Sequence, residues 1–142
     1  MKQSLILLFV VFALLSCEAE NEDTIQNTGI VGVWNWLRTD GGFAFHIHES
    51  PETTGKTIKL CLTEDKKFRI LENDLEVASG TYSLSLMKSI YSGELADYIT
   101  YEGDYSDVNV VIAGIIEVLD NNILTIADNC YDGIGSTFER VD

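Results

Sequence analysis

From residue 29 onward, apolar and polar side chains alternate with a period of two, the pattern of half-buried β-strands. In residues 30–38, Ile30, Gly32, Trp34 and Trp36 fall on one face, and Val31, Val33, Asn35 and Leu37 on the other. Both faces are rather apolar, as expected where one lines a core and the other is partly covered. Asp40-Gly41-Gly42 breaks the run, and residues 43–48 predict a second, shorter strand. Residues 50–55, holding the only proline, Pro51, predict a polar connection. Residues 57–63 alternate cleanly, with Ile58, Leu60 and Leu62 inward and Lys59 and Thr63 outward. A turn at Glu64-Asp65-Lys66 leads into residues 67–72, with Phe68 and Ile70 inward. Asn73-Asp74 is a second tight turn into residues 75–84, where Gly80 predicts a bend or bulge.

The rest of the chain continues in the same way. Residues 86–91 and 97–101 predict a further strand pair around Ser92-Gly93, and the apolar run 108–119 predicts two short strands bent at Gly114. Asp120-Asn121-Asn122 is a hairpin turn into 123–127, residues 129–135 form a loop, and 136–141 form the last strand. Eight to ten short, evenly spaced strands and no amphipathic helix predict an all-β fold. A single antiparallel up-and-down barrel is expected, and a β-sandwich is the other arrangement this pattern allows. The inward set Trp36, Phe68, Ile70, Tyr82, Leu84 and Phe138 either lines a cavity or fills the core, since barrels of eight strands do both.

The beginning of the chain breaks the pattern. Lys2 precedes an unbroken apolar run of eleven residues, 5–15. That is too short to span a bilayer, which needs about 20 residues, but it suits the core of a signal peptide. The run ends in Leu14-Leu15-Ser16-Cys17, which resembles the lipobox of bacterial lipoproteins. The resemblance implies diacylglycerol on the Cys17 thiol, cleavage between Ser16 and Cys17, and acylation, for example by palmitate, of the new amino terminus. Several acyl chains on one residue hold even an acidic protein firmly on a membrane. Residues 1–16 are then the signal peptide, 17–29 a lipidated acidic tether with Glu18, Glu20, Glu22 and Asp23, and 30–142 the barrel domain. Acids directly after the lipidated cysteine are also similar to the surface-export signal of some Gram-negative lipoproteins. That points to the outer membrane, on its periplasmic or outer face; an ordinary acidic linker is the other reading.

Charge narrows the partners. Nine basic and 23 acidic residues give a formal charge of −14, which repels phosphate backbones and excludes nucleic acid as a natural partner. Membrane contact is expected through Cys17 rather than through the surface. Catalysis is not expected, because the chain holds no nucleophile elbow, phosphate loop or nucleotide motif, and no cofactor is implied. His46-x-His48-Glu49 sets two imidazoles at a spacing that can grip a metal, but two ligands do not make a site, and the pair reads as surface histidines. The Asp/Asn clusters at 104–107, 120–122 and 128–132 lack calcium-loop spacing and read as turns. Cys61 points away from the inward set and Cys130 sits at a strand end. An oxidising compartment permits a disulfide between them if their Cα atoms come within about 7 Å.

Gly32-Val33-Trp34 on the first strand resembles the Gly-x-Trp of lipocalins and their calycin relatives. In that family the tryptophan plugs one end of an eight-stranded barrel, and a basic residue near the chain end packs over the indole. Arg140 is the matching residue, on the same strand face as Phe138. The Trp34-x-Trp36 pair, the Gly41-Gly42 turn, the strand Lys56-Thr57-Ile58-Lys59-Leu60 and Ser79-Gly80-Thr81-Tyr82 look like those of small bacterial lipocalin-like lipoproteins. The domain departs from secreted lipocalins in being short and in lacking a helix before the final strand. The resemblance implies an outer-membrane-anchored protein that binds or carries a small apolar ligand. The alternative is a non-enzymatic envelope interaction or structural module presenting an acidic surface. Tyr91, Tyr98, Tyr101, Tyr105 and Tyr131, in or near turns, would serve as its contacts. The sequence names no protein partner.

Overall fold

A computed structural model of the chain describes residues 29–105 and 108–141. The leader 1–16, Cys17 and its tether up to residue 28 lie outside the described residues, as do Ser106 and Asp107 of one acidic cluster.

Among the described residues nine strands form one antiparallel sheet: β1 (Gly32–Gly41), β2 (Ile47–Glu49), β3 (Ile58–Leu62), β4 (Lys67–Glu72), β5 (Leu75–Lys88), β6 (Leu95–Asp104), β7 (Gly114–Leu119), β8 (Ile123–Ala127) and β9 (Ile134–Val141). From β3 to β9 each strand pairs with the next, and β1 pairs with both β3 and β9, so eight strands close into a barrel. This is the up-and-down barrel the alternation predicts, and the β1–β9 seam excludes a two-sheet sandwich. β2 is the extra strand. It joins the edge of β1 at Thr39–Gly41, beyond the stretch Gly32–Asn35 that β3 occupies.

Local chemistry explains the hairpins. Asn73-Asp74 and Asp120-Asn121 both adopt paired positive φ values (52° and 64°, 50° and 61°). That is the mirror-image turn whose twist matches flanking antiparallel strands, and Asn and Asp tolerate it. Phe68, Ile70, Ile99, Leu124, Ile126 and Phe138 point inward at alternate positions and are almost completely buried. The described core runs from Ile30 to Phe138, so the barrel carries its own core.

The structure departs from the expected elements at several places. The β1–β9 register shifts between Trp36 and Arg38, so the inward positions pass from Trp34 and Trp36 to Thr39 and Gly41. Residues 43–48 are not one strand: Phe43–Phe45 is a 3₁₀ turn, and only Ile47–Glu49 pairs. Positive φ at Gly42, Ala44 and Phe45 turns the chain too sharply for a strand. The polar connection contains a one-turn helix, α1 (Pro51–Thr54), started by a capping box between Ser50 and Thr53 and stopped by Gly55 at φ 70°. Residues 86–91 are not a separate strand, because β5 runs on through Lys88 in register with β6. The bulge lies between Ile70 and Leu71, opposite Val77, not at Gly80; a Cβ on Gly80 would lie 2.1 Å from the Glu102 oxygen, so glycine there allows close strand approach.

The apolar run 108–119 is strand only from Gly114. Val110, Val111 and Ile112 are buried in an irregular stretch, because β6 meets β7 only at Tyr98 and Ile99. The expected bend at Gly114 is present, with φ 149° and no room for a Cβ beside the Ala127 oxygen.

Candidate functional site

One end of the barrel is sealed by Trp34 and Arg140, which lie opposite each other in the β1–β9 ladder. The indole is fully buried and its Nε1 donates to the Ile30 carbonyl at 2.8 Å. The Arg140 guanidinium carbon lies 4.1 Å from the ring centre, close enough for a cation–π contact. Its nitrogens also donate to the carbonyls of Asn121 (2.7 Å), Val31 (3.0 Å) and Gly29. Gly32 makes room for this: a Cβ there would meet Arg140 Nη1 at 2.5 Å. The expected pairing of Trp34 with Arg140 is therefore present, and one cation ties together the chain entry, the β7–β8 turn and the last strand.

The interior takes up the predicted inward set. Trp36, Phe68, Ile70, Tyr82 and Phe138 are buried in the core, and Leu84 packs against it. Two residues that alternation alone did not single out, Thr39 and Ser136, organise the polar groups among them. Trp36 Nε1 donates to Thr39 Oγ1 (3.0 Å), Thr39 Oγ1 lies 2.7 Å from Ser136 Oγ, and Val111 N donates to the same Ser136 oxygen (2.9 Å). This chain fastens the irregular 108–113 stretch to β1 and β9. Tyr82 donates to the Thr63 carbonyl at 2.8 Å, with the Lys66 ammonium 5.2 Å from its ring.

The other end of β1 opens onto a cavity of about 380 Å³. Its walls include the glycine-rich backbone at Gly41, Gly42 and Gly133, the rings of Phe45 and Tyr91, and Asp132. None of Trp36, Phe68, Ile70, Tyr82, Leu84 and Phe138 lines it; they are buried in or packed against the core. Sequence reasoning missed the site because it is made by three separate connections meeting at one end. The Tyr91 hydroxyl reaches the carbonyls of Asp128 (3.1 Å) and Cys130 (2.8 Å), joining the β5–β6 turn to the β8–β9 loop. Burial, then the neighbouring Cys130, Asp128 and Asp132, raise its ionisation above the ordinary tyrosine value, so it remains a donor. Phe43 and Tyr131 are largely exposed.

The two histidines do not share a strand face. His46 precedes β2 and its Nδ1 donates to the Phe43 carbonyl (2.7 Å). His48 Nδ1 meets Asp40 Oδ1 (2.9 Å), and Asp40 also holds Arg38 Nε at 3.0 Å. Among the described residues no group of three or more His, Cys, Asp or Glu side chains could hold a metal. Cys61 and Cys130 are free. Cys61 pairs with Val33 near the sealed end, whereas Cys130 belongs to the loop bonded to Gly42 at the other end, about 30 Å away along β1. The disulfide permitted by the compartment is therefore ruled out by strand position. Cys61 is buried all the same, under the outer face of β3, and that burial raises its thiol pKa.

Comparison of the chain with protein-family models, with curated proteins and with solved structures gives no match. The site is defined by this chain's own geometry.

Proposed function

We propose that this protein is a lipid-anchored, lipocalin-like barrel of the Gram-negative outer membrane that binds or carries a small apolar ligand without chemical reaction. The observation that supports this most is the asymmetry of the two ends. One is sealed by Trp34 under Arg140, and the other opens onto a cavity of about 380 Å³ walled by glycine backbone and the rings of Phe45 and Tyr91. A volume of that order takes a small organic molecule, with Phe45, Tyr91 and Ile134 for its apolar part and Asp40 and Asp132 at the rim for any polar end. The signal-like leader and Cys17 supply the anchor in this reading.

Native mass spectrometry tests the ligand. The chain from residue 17, carrying Cys17→Ser and purified from a periplasm, is expected to carry a small molecule that disappears on denaturation. A bare protein mass at every gentle ionisation setting would count against the reading. The anchor is tested separately: labelled palmitate should enter the wild-type chain and not Cys17→Ser, and Cys17→Ser should leave the membrane fraction.

A second reading, an envelope interaction module, is favoured by one feature. Phe43, Phe45, Tyr91 and Tyr131 are exposed beside the same mouth, and rings of this kind anchor protein contacts. Tyr101 does not belong to that surface, since it is buried in β6. Loss of a crosslinked partner on Phe43→Ser and Tyr131→Ser, with ligand carriage unchanged, would favour this second reading.

A further inference from the structure

Among the described residues, one buried side-chain polar atom has no hydrogen-bond partner, the hydroxyl of Tyr101. Its neighbours show how consistently the interior avoids this. Trp34 donates to Ile30, Trp36 to Thr39, and Tyr82, directly across the β5–β6 ladder, to Thr63. Tyr101 is 7% exposed. A buried hydroxyl left unpaired lowers stability, so a phenylalanine would serve the fold better at this position. A group kept at such a cost calls for a use.

The surroundings indicate what it could hold. The Tyr101 ring meets Phe68 edge-on at 4.7 Å and lies 6.3 Å from Tyr105, whose ring continues this aromatic path to the surface at 36% exposure. β6 pairs with β7 only at Tyr98 and Ile99, so among the described residues the ladder bonds of Thr100 to Gly103 run to β5. A wall held by one ladder opens more easily than one held by two. Among the described residues the buried polar side chains besides Tyr and Trp are Thr39, Ser89 and Ser136, all neutral. A carboxylate drawn in here would find one cation at the rim, the half-buried Lys66 ammonium 5.2 Å from the Tyr82 ring, and no fully buried one among the described residues, so burying it would remain unfavourable. A neutral oxygen acceptor meets no such penalty. Burial and the adjacent Tyr82 also push Tyr101 ionisation well above the ordinary range, so the hydroxyl remains a donor.

We propose that the Tyr101 hydroxyl is the polar anchor of an inner ligand position, inside the barrel wall and separate from the open-end cavity. It donates a hydrogen bond to a neutral carbonyl oxygen, of an ester or amide, in an amphipathic lipid-like molecule whose apolar part lies against Phe68 and Tyr105. This goes beyond the open-end cavity and rests on the apolar-ligand reading.

The test uses the chain from residue 17 with Cys17→Ser and the fluorescent neutral probe N-phenyl-1-naphthylamine. The probe is displaced either by 1-monolauroylglycerol, a neutral ester, or by laurate, its anionic counterpart. The wild-type sequence should take up the probe and release it to the ester at about tenfold lower concentration than to laurate. Tyr101→Phe should keep probe and laurate binding, weaken the ester about tenfold, and melt at the same or a higher temperature. Tyr82→Phe, which removes a hydroxyl already engaged by Thr63, should lower the melting temperature and leave ester selectivity unchanged. An ester affinity identical in wild type and Tyr101→Phe would mark the hydroxyl as an internal defect or a water site and overturn the proposal. A preference for laurate would overturn its neutral chemistry. No uptake of probe or ester by the wild-type chain would instead sink the apolar-ligand reading itself.

Discussion

Arg140 shows how much one side chain can hold when every donor is used. Its guanidinium covers the Trp34 ring and bonds three carbonyls from parts of the chain far apart in sequence. Arg140→Ala should therefore destabilise the barrel by about 3 kcal/mol in urea denaturation. Arg140→Lys should recover little of it, because a single ammonium cannot reach three carbonyls from one position. The thiols make the opposite point, that similar residues differ by place. Cys130 is exposed and Cys61 is buried with a raised thiol pKa. In the Cys17→Ser chain, one thiol should react promptly with a disulfide reagent near neutral pH, and the second only after denaturant is added. Two prompt thiols would contradict the burial of Cys61. The pairing of Trp34 with Arg140 was legible in the sequence only through the resemblance that Gly32-Val33-Trp34 carries, with alternation adding that Arg140 shares a face with Phe138. Tyr101 was misread as a surface tyrosine because it stands close to a turn signal, although it is in phase with the buried Ile99.

Among the elements, the hairpins were the most legible and the connections the least. Asn-Asp and Asp-Asn turns announce themselves because their positive φ values suit only a few residue types. The β3–β4 turn adds a charge device. Asp65 holds Lys67 at 2.6 Å and accepts from Thr63 at 2.6 Å, and these contacts, Lys67 first, lower its carboxyl pKa from 3.8. A lowered carboxyl contributes stability that is present above pH 3.8 and lost as pH falls through the lower folded-state value. Asp65→Asn should therefore lower the melting temperature at neutral pH, and the gap to wild type should close in acid below that window. Gly114 tests the bend before β7. With φ at 149° and the Ala127 oxygen 2.1 Å from where a Cβ would sit, Gly114→Ala should cost about 3 kcal/mol. A cost under about 0.5 kcal/mol, the range of ordinary surface substitutions, would mean the bend is not constrained there. The preceding residues 108–113 were not legible as an irregular stretch, because Val110-Val111-Ile112 carries the composition of a buried strand and only the early parting of β6 from β7 denies it a partner.

At the scale of the whole molecule, the β1–β9 seam makes the barrel one cooperative object, since neither the first nor the last strand has a complete set of partners without the other. Calorimetry should show a single transition whose calorimetric and van't Hoff enthalpies agree. Two resolved transitions would show that the seam does not couple the strands. The amino-acid sequence alone determined the two-residue period, the strands flanking the Asx turns, and the inward set around Trp34, Phe68, Ile70 and Phe138. Each of these depends on side-chain alternation or on the φ preferences of neighbouring residues, which are local properties. Tertiary structure alone decided that Cys61 is covered while facing out of the core, that Thr39 and Ser136 meet, that Tyr101 is buried without a partner, and that Gly41, Tyr91 and Asp132 surround one cavity. Those outcomes depend on the stagger of the strands and on which connections return to the same end, and neither is fixed by local preferences along the chain.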